Sequence, residues 1–133
     1  MKVSFDFDNT LSRQDVQDYA KSLIKKGVEV FIITARFNEL RKSFFKQNPT
    51  NDDLWNICYK IGLSTKNVIF CNMEDKSTTI LDTDLVWHLD DCWVTLNDIN
   101  SNTNTPAIDV TKKDWKQKCN KLFEKQNKQK KSN

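Results

Sequence analysis

Short apolar runs alternate with amphipathic segments from one end of this chain to the other, and that rhythm constrains the fold more than any other feature. The runs Lys2–Phe7, Val28–Ile33, Val68–Cys71, Leu85–Leu89 and Ala107–Val110 predict five strands. From Val30 to Ile33 every residue is apolar, as in a strand covered on both faces. Between the runs, Val16, Tyr19, Ala20, Leu23 and Ile24 share a helical face behind a Ser12–Asp15 capping pair. Phe37, Leu40, Phe44 and Phe45 form a second stripe that ends near Pro49. Leu54, Ile57, Cys58 and Ile61 form a third, with Thr50 or Asn51 as its cap. A short helix is expected over Asp75–Asp82. A last one opens at Thr111 and Asp114, with Trp115, Cys119, Leu122 and Phe123 turned inward. Strands that alternate with helices predict an α/β fold: a three-layer, Rossmann-like, mainly parallel sheet of about five strands, helices on both faces, no cap domain.

The length of 133 residues fits one domain, expected over 1–125, with a basic tail at 126–133 that lacks the apolar residues to pack. The two glycines, Gly27 and Gly62, each follow a predicted helix, where a left-handed residue ends it. Two glycines cannot write a phosphate-binding glycine loop or a dinucleotide fingerprint. The net charge of +3 hides an asymmetry: residues 1–110 carry 16 acids against 12 lysines and arginines, and residues 111–133 carry nine lysines against Asp114 and Glu124. An acidic body with a basic end is not the broad basic surface of a dedicated nucleic-acid binder. The tail lysines read first as a solvated helix end, and as a salt-dependent nucleic-acid contact only second. Cys58, Cys71, Cys92 and Cys119 form no CxxC pair, and a single histidine cannot complete a Cys/His zinc set; they read as reduced thiols. With acids already at positions 6 and 8 and no apolar run of membrane length, the expectation is a cytoplasmic protein with no membrane partner.

Two strands end in acids. The first closes with Asp6-Phe7-Asp8 and the fourth with His88-Leu89-Asp90-Asp91. The carboxyl ends of strands in an open α/β sheet line its ligand crevice. If these two strands are neighbours, four carboxylates meet there, at a cost that a hard divalent cation such as Mg²⁺ would offset. Either pair alone reads more simply as a turn; both together in one short chain do not. Thr34 closes the second strand with a hydroxyl, and Lys76 lies shortly after the third, with Lys66 as its rival.

Taken together, Phe5-Asp6-Phe7-Asp8-Asn9-Thr10-Leu11-Ser12, Thr34-Ala35-Arg36, Lys76 and His88-Leu89-Asp90-Asp91 resemble the four motifs of the haloacid dehalogenase-like phosphohydrolase superfamily, in the right order. The resemblance implies Asp6 as nucleophile and Asp8 as general acid and then base. It implies Thr34 and Lys76 as catalytic phosphoryl contacts, and Asn9, Thr34, Ala35, Arg36 and Lys76 around the substrate. Mg²⁺ would be held by Asp6, the backbone of Asp8, Asp90 and Asp91. Relatives often have Gly where this chain has Asn9, and asparagine tolerates the left-handed turn. The short spacings between motifs imply a small member without a cap. Its open site would take a phosphorylated nucleotide, polynucleotide end or phosphoprotein. On that reading His88 and the four tryptophans are packing residues. The rival readings are a receiver-like signalling module and a non-catalytic phosphate-binding module. A receiver places its paired acids on the first strand and the phosphorylated Asp on the third, which is not the order here.

Overall fold

The computed structural model describes residues 1–44 and 50–132. Five strands, β1 (Lys2–Phe5), β2 (Glu29–Thr34), β3 (Val68–Phe70), β4 (His88–Asp90) and β5 (Ala107–Asp109), form one all-parallel sheet in the order β3-β2-β1-β4-β5. Among the described residues five α-helices connect them, α1 (Gln14–Lys25), α2 (Glu39–Phe44), α3 (Asp52–Ile61), α4 (Lys76–Leu81) and α5 (Trp93–Asn102), and α6 (Trp115–Ser132) follows β5. The expected α/β architecture is therefore present. Every connection is a crossover, and the strand order reverses direction at β1 and β4.

Side-chain alternation sorts the layers. Val3, Phe5, Val30, Ile32, Trp87, Leu89 and Ile108 join one core with residues of α1, α3 and α6. Ile33 joins Cys71, Ile80, Leu85 and Ile99, with Phe31, Ile69 and Ala107 against them, in a second core under α4 and α5. The first core is aromatic at its centre. Trp87 packs edge-on to Phe5 and Phe123, with ring centroids 5.3 and 5.7 Å away, and stacks on Tyr19 at 6.2 Å. At full burial Trp87 contributes several kcal/mol of transfer free energy, on the order of 3.

Gly27 and Gly62 have φ of +87° and +79° and close α1 and α3 as expected. Other boundaries differ. β1 stops at Phe5, and Phe7–Leu11 folds into a tight turn with Asn9 at φ 58°. Ser12 does not cap α1; its Oγ accepts the Asn9 backbone N–H at 3.0 Å, and Arg13 occupies the cap position without a side-chain capping bond. Of the predicted second stripe, Leu40 lies on α2 and is 78% exposed rather than turned inward. Phe45 and Pro49 lie outside the described residues. α6 continues to Ser132 through the tail for which composition predicts no structure; Lys and Gln are good helix formers that extend a helix already docked by Trp115 and Cys119. α5 was not legible in the sequence. No helix among the described residues is long and apolar enough to cross a membrane.

Candidate active site

Parallel pairing of β1 with β4, Ser4 opposite His88 and Phe5 opposite Leu89, sets Asp6 beside Asp90. The Asp6 N–H donates to the Leu89 carbonyl at 2.8 Å, which continues the register into the crevice. Because strand side chains alternate, Val3, Phe5, Trp87 and Leu89 all enter the first core. Ser4, Asp6, His88 and Asp90 fall on the opposite face, where α4 begins. A polar file is thus built into one face of an otherwise apolar sheet.

Lys76, the first residue of α4 and 5% exposed, completes it. Its Nζ donates to Asp6 Oδ1 and to Asp90 Oδ2, both at 2.7 Å. Lys66, the other lysine considered, is not brought to this group: it sits in an exposed turn before the amino end of β3, at the edge of the sheet. Asp90 also accepts the backbone N–H groups of Asp91 and Cys92 on Oδ1, at 2.8 and 3.1 Å, and contacts His88 Nε2 at 2.8 Å. An ionised carboxylate only accepts, so the His88 proton is on Nε2, and Nδ1 accepts the Ser4 hydroxyl at 2.7 Å. Burial keeps His88 neutral by pulling its pKa down, against the pull of Asp90.

Oxygens of Asp6, Asp90 and Asp91 lie within 4.8 Å of one another. Three carboxylates with one ammonium leave the group two charges negative if all ionise. The consequence differs by residue. Burial, with repulsion from Asp90 and a hydrogen bond with the Asp91 carboxyl, overrides Lys76 and pushes Asp6 up to about 8. Burial also tends to raise Asp90, but His88 and Lys76 outweigh it and hold Asp90 well below the carboxylate range. Burial likewise works against the charge on Lys76, and the two carboxylates overcome it, so its pKa is raised. Asp90 and Lys76 thus form the fixed ion pair, and Asp6 is the group that keeps a proton to relieve crowding.

The remaining predicted residues lie around this group. Thr34 is buried at the end of β2, its Oγ1 accepting the Arg36 N–H at 3.3 Å, and the Ala35 carbonyl accepts the Met73 N–H at 2.7 Å. No hydrogen bond among the described residues joins either to the acid cluster. The Asp8 carboxylate is not in the cluster; it is half-exposed and turned to Arg36. Asn9 takes the left-handed turn expected of it. Arg36 is the clearest departure. Its Nε and Nη2 donate to the two Asp8 oxygens at 3.0 and 2.7 Å, Nη1 and Nη2 to the two Asp53 oxygens at 2.8 and 2.9 Å, and Nη1 to Asn51 Oδ1 at 3.4 Å. All five guanidinium N–H groups are committed, so Arg36 as placed has no donor left for a substrate.

Sequence reasoning gave Ser4 and Asp53 no role, took Asn51 only as a helix cap, and treated His88 as packing. The polar i, i+2 pairs Ser4/Asp6 and His88/Asp90 were the available signal. Trp93, read as packing, is 71% exposed two residues after Asp91, whereas Trp87 and Trp115 are core. A cleft of about 540 Å³ between the loops before β4 and β5 and helix α6 lies at the amino ends of the strands, away from this chemistry. No protein-family model matches the chain, and no curated protein is significantly similar to it.

Proposed function

We propose that the protein is a Mg²⁺-dependent phosphomonoesterase that forms an aspartyl-phosphate on Asp6. The observation that carries the reading is the bridge from Lys76 to Asp6 and Asp90, at 2.7 Å on each side, with Asp91 in the same acidic group at the point where the strand order reverses. A buried carboxyl that holds its proton to about 8 beside two other acids fits a place suited to a hard divalent cation, because all the donors are oxygen. Asp6, Asp91 and the Asp8 carbonyl would hold it with Asp90, which already accepts four hydrogen bonds and serves chiefly as an anchor. When bound, Mg²⁺ offsets the charge of the phosphoryl oxygens and favours ionised Asp6.

The protein groups divide the remaining work. An Asp6 oxygen attacks phosphorus while the bond to the leaving oxygen breaks, and Asp8 gives that oxygen its proton. Asp8 then takes a proton from water; the water oxygen bonds to phosphorus, the bond to Asp6 breaks and inorganic phosphate leaves. Lys76 has three N–H groups, of which two are used, so one remains for a phosphoryl oxygen. Thr34 offers its hydroxyl proton from the neighbouring strand end. Among the described residues no further subdomain covers the crevice, which suits a phosphate presented on a nucleotide, polynucleotide end or phosphoprotein.

Hydrolysis of p-nitrophenyl phosphate with Mg²⁺ or with EDTA, by the unaltered chain and by Asp6→Asn, tests the reading. Mg²⁺-dependent turnover that vanishes in Asp6→Asn is expected, and equal rates in the two proteins would remove Asp6 as nucleophile. A panel of mononucleotides, 3′- and 5′-phosphorylated oligonucleotides and phosphopeptides then ranks the substrates.

A further inference from the structure

We propose that Asp53 is a positioning residue: acting through Arg36, it fixes the orientation of the Asp8 carboxylate, the group that exchanges protons with the leaving oxygen and with water, a role that rests on the phosphatase reading above. Asp8 lies in a turn, in non-helical backbone at φ −65° and ψ 129°, and its side chain is 54% exposed. A carboxylate so placed would sample several rotamers, whereas a proton donor must be held to within about 0.5 Å of its target. Arg36 supplies the restraint by gripping both Asp8 oxygens in a fork.

Arg36 is itself fixed from the other side. Both oxygens of Asp53, in the first turn of α3, take a second fork, and the buried Asn51 takes the fifth donor while its own Nδ2 donates to the Phe37 carbonyl at 2.9 Å. The guanidinium also lies 4.8 Å over the ring of Phe7, the residue between Asp6 and Asp8. Asp53 therefore touches none of the reacting atoms, yet it sets the plane and reach of the group that orients Asp8. Lysine could not reproduce this, because one ammonium cannot present two parallel forks.

The plain alternative is that Asp53 and Arg36 merely staple the β1–α1 turn to α3. The leaving group separates the two. Phenol, with a pKa of about 10, needs a proton as it departs, whereas p-nitrophenol is more acidic and leaves without one; the two aryl phosphates are otherwise alike. Asp53→Asn is expected to lower kcat/KM, which reports aspartyl-phosphate formation and leaving-group departure rather than the hydrolysis step that the two esters share, by about tenfold on phenyl phosphate, and by less than about twofold on p-nitrophenyl phosphate on the same reasoning. Arg36→Lys should show the same split. Asp52→Asn removes an equal charge from the same helical turn without touching Arg36, and both rates should persist. Equal losses on the two esters in Asp53→Asn, or the same split in Asp52→Asn, would overturn the positioning role while leaving the phosphatase reading intact. Absence of turnover on either ester by the unaltered chain would overturn both.

Discussion

Replacing Lys76 with methionine removes the one cation from a group of buried acids, and its cost follows from the geometry. Lys76 bridges Asp6 and Asp90 at 2.7 Å each, and its side chain is 5% exposed. Breaking a buried pair by deleting one partner costs about 3–5 kcal/mol. With an unfolding entropy of about 2.1 cal/mol/K per residue, the 133-residue chain loses about 11–18 °C of Tm. The pH dependence is diagnostic. Asp6 is raised to about 8, so the folded protein keeps a proton that the unfolded chain releases near 4. Its contribution to stability is present below the unfolded pKa and is lost as pH rises through about 8. At pH 6 Asp6 is neutral and Lys76→Met sacrifices mainly the Asp90 partnership, so the loss sits near the lower figure. At pH 9 Asp6 is ionised in the unaltered protein, Lys76 still compensates it, and the loss grows. Calorimetric melting of both proteins in EDTA at pH 6 and pH 9 measures this. A drop below about 3 °C, far under the range for a buried pair, or a drop that shrinks as pH rises, would refute the bridge as the site's electrostatic keystone.

The other expectations concern the same crevice. Mg²⁺ should raise Tm more at pH 9 than at pH 6, because binding must displace the Asp6 proton, and the gain should vanish in Asp91→Asn; a gain independent of pH would contradict the shared site. Asp6→Asn should abolish hydrolysis yet raise the Tm of the metal-free protein at pH 9, since a raised carboxyl pKa means that its charged form is disfavoured by the fold; a lowered Tm at that pH would argue against crowding. Asn9 has φ 58°, so Asn9→Gly should be neutral within about 0.5 kcal/mol and Asn9→Ala should cost about 1 kcal/mol, read by urea unfolding.

The architecture was legible because period and polarity agreed. Val30–Ile33 announces a strand covered on both faces, and the acids that close two strands mark the crevice before any contact is known. What escaped has physical reasons. α5 buries only Leu96 and Ile99 on a run rich in Asn, Asp, Ser and Thr, so neither periodicity nor propensity declares it. The adjacency of β1 and β4 depends on sheet order, which a one-dimensional pattern does not contain; only the crevice rule suggested it. Arg36 was visible as a residue beside Thr34, but its five donors are consumed by Asn51 and Asp53 on a distant turn and by Asp8. That pairing joins segments 15 to 28 residues apart and leaves no local trace. His88 looked like packing because it is apolar in context; its burial is what lets it hold Asp90.

The central claim is that Asp6 carries the phosphoryl group. Acid-quenched protein, taken during turnover of an aryl phosphate with Mg²⁺ and digested for mass spectrometry, reads this out directly. The peptide bearing Asp6 should gain the mass of one phosphoryl group, lose it on treatment with hydroxylamine, and show neither in Asp6→Asn. Steady turnover with that peptide unmodified, or with the phosphoryl group on another residue, would contradict the account.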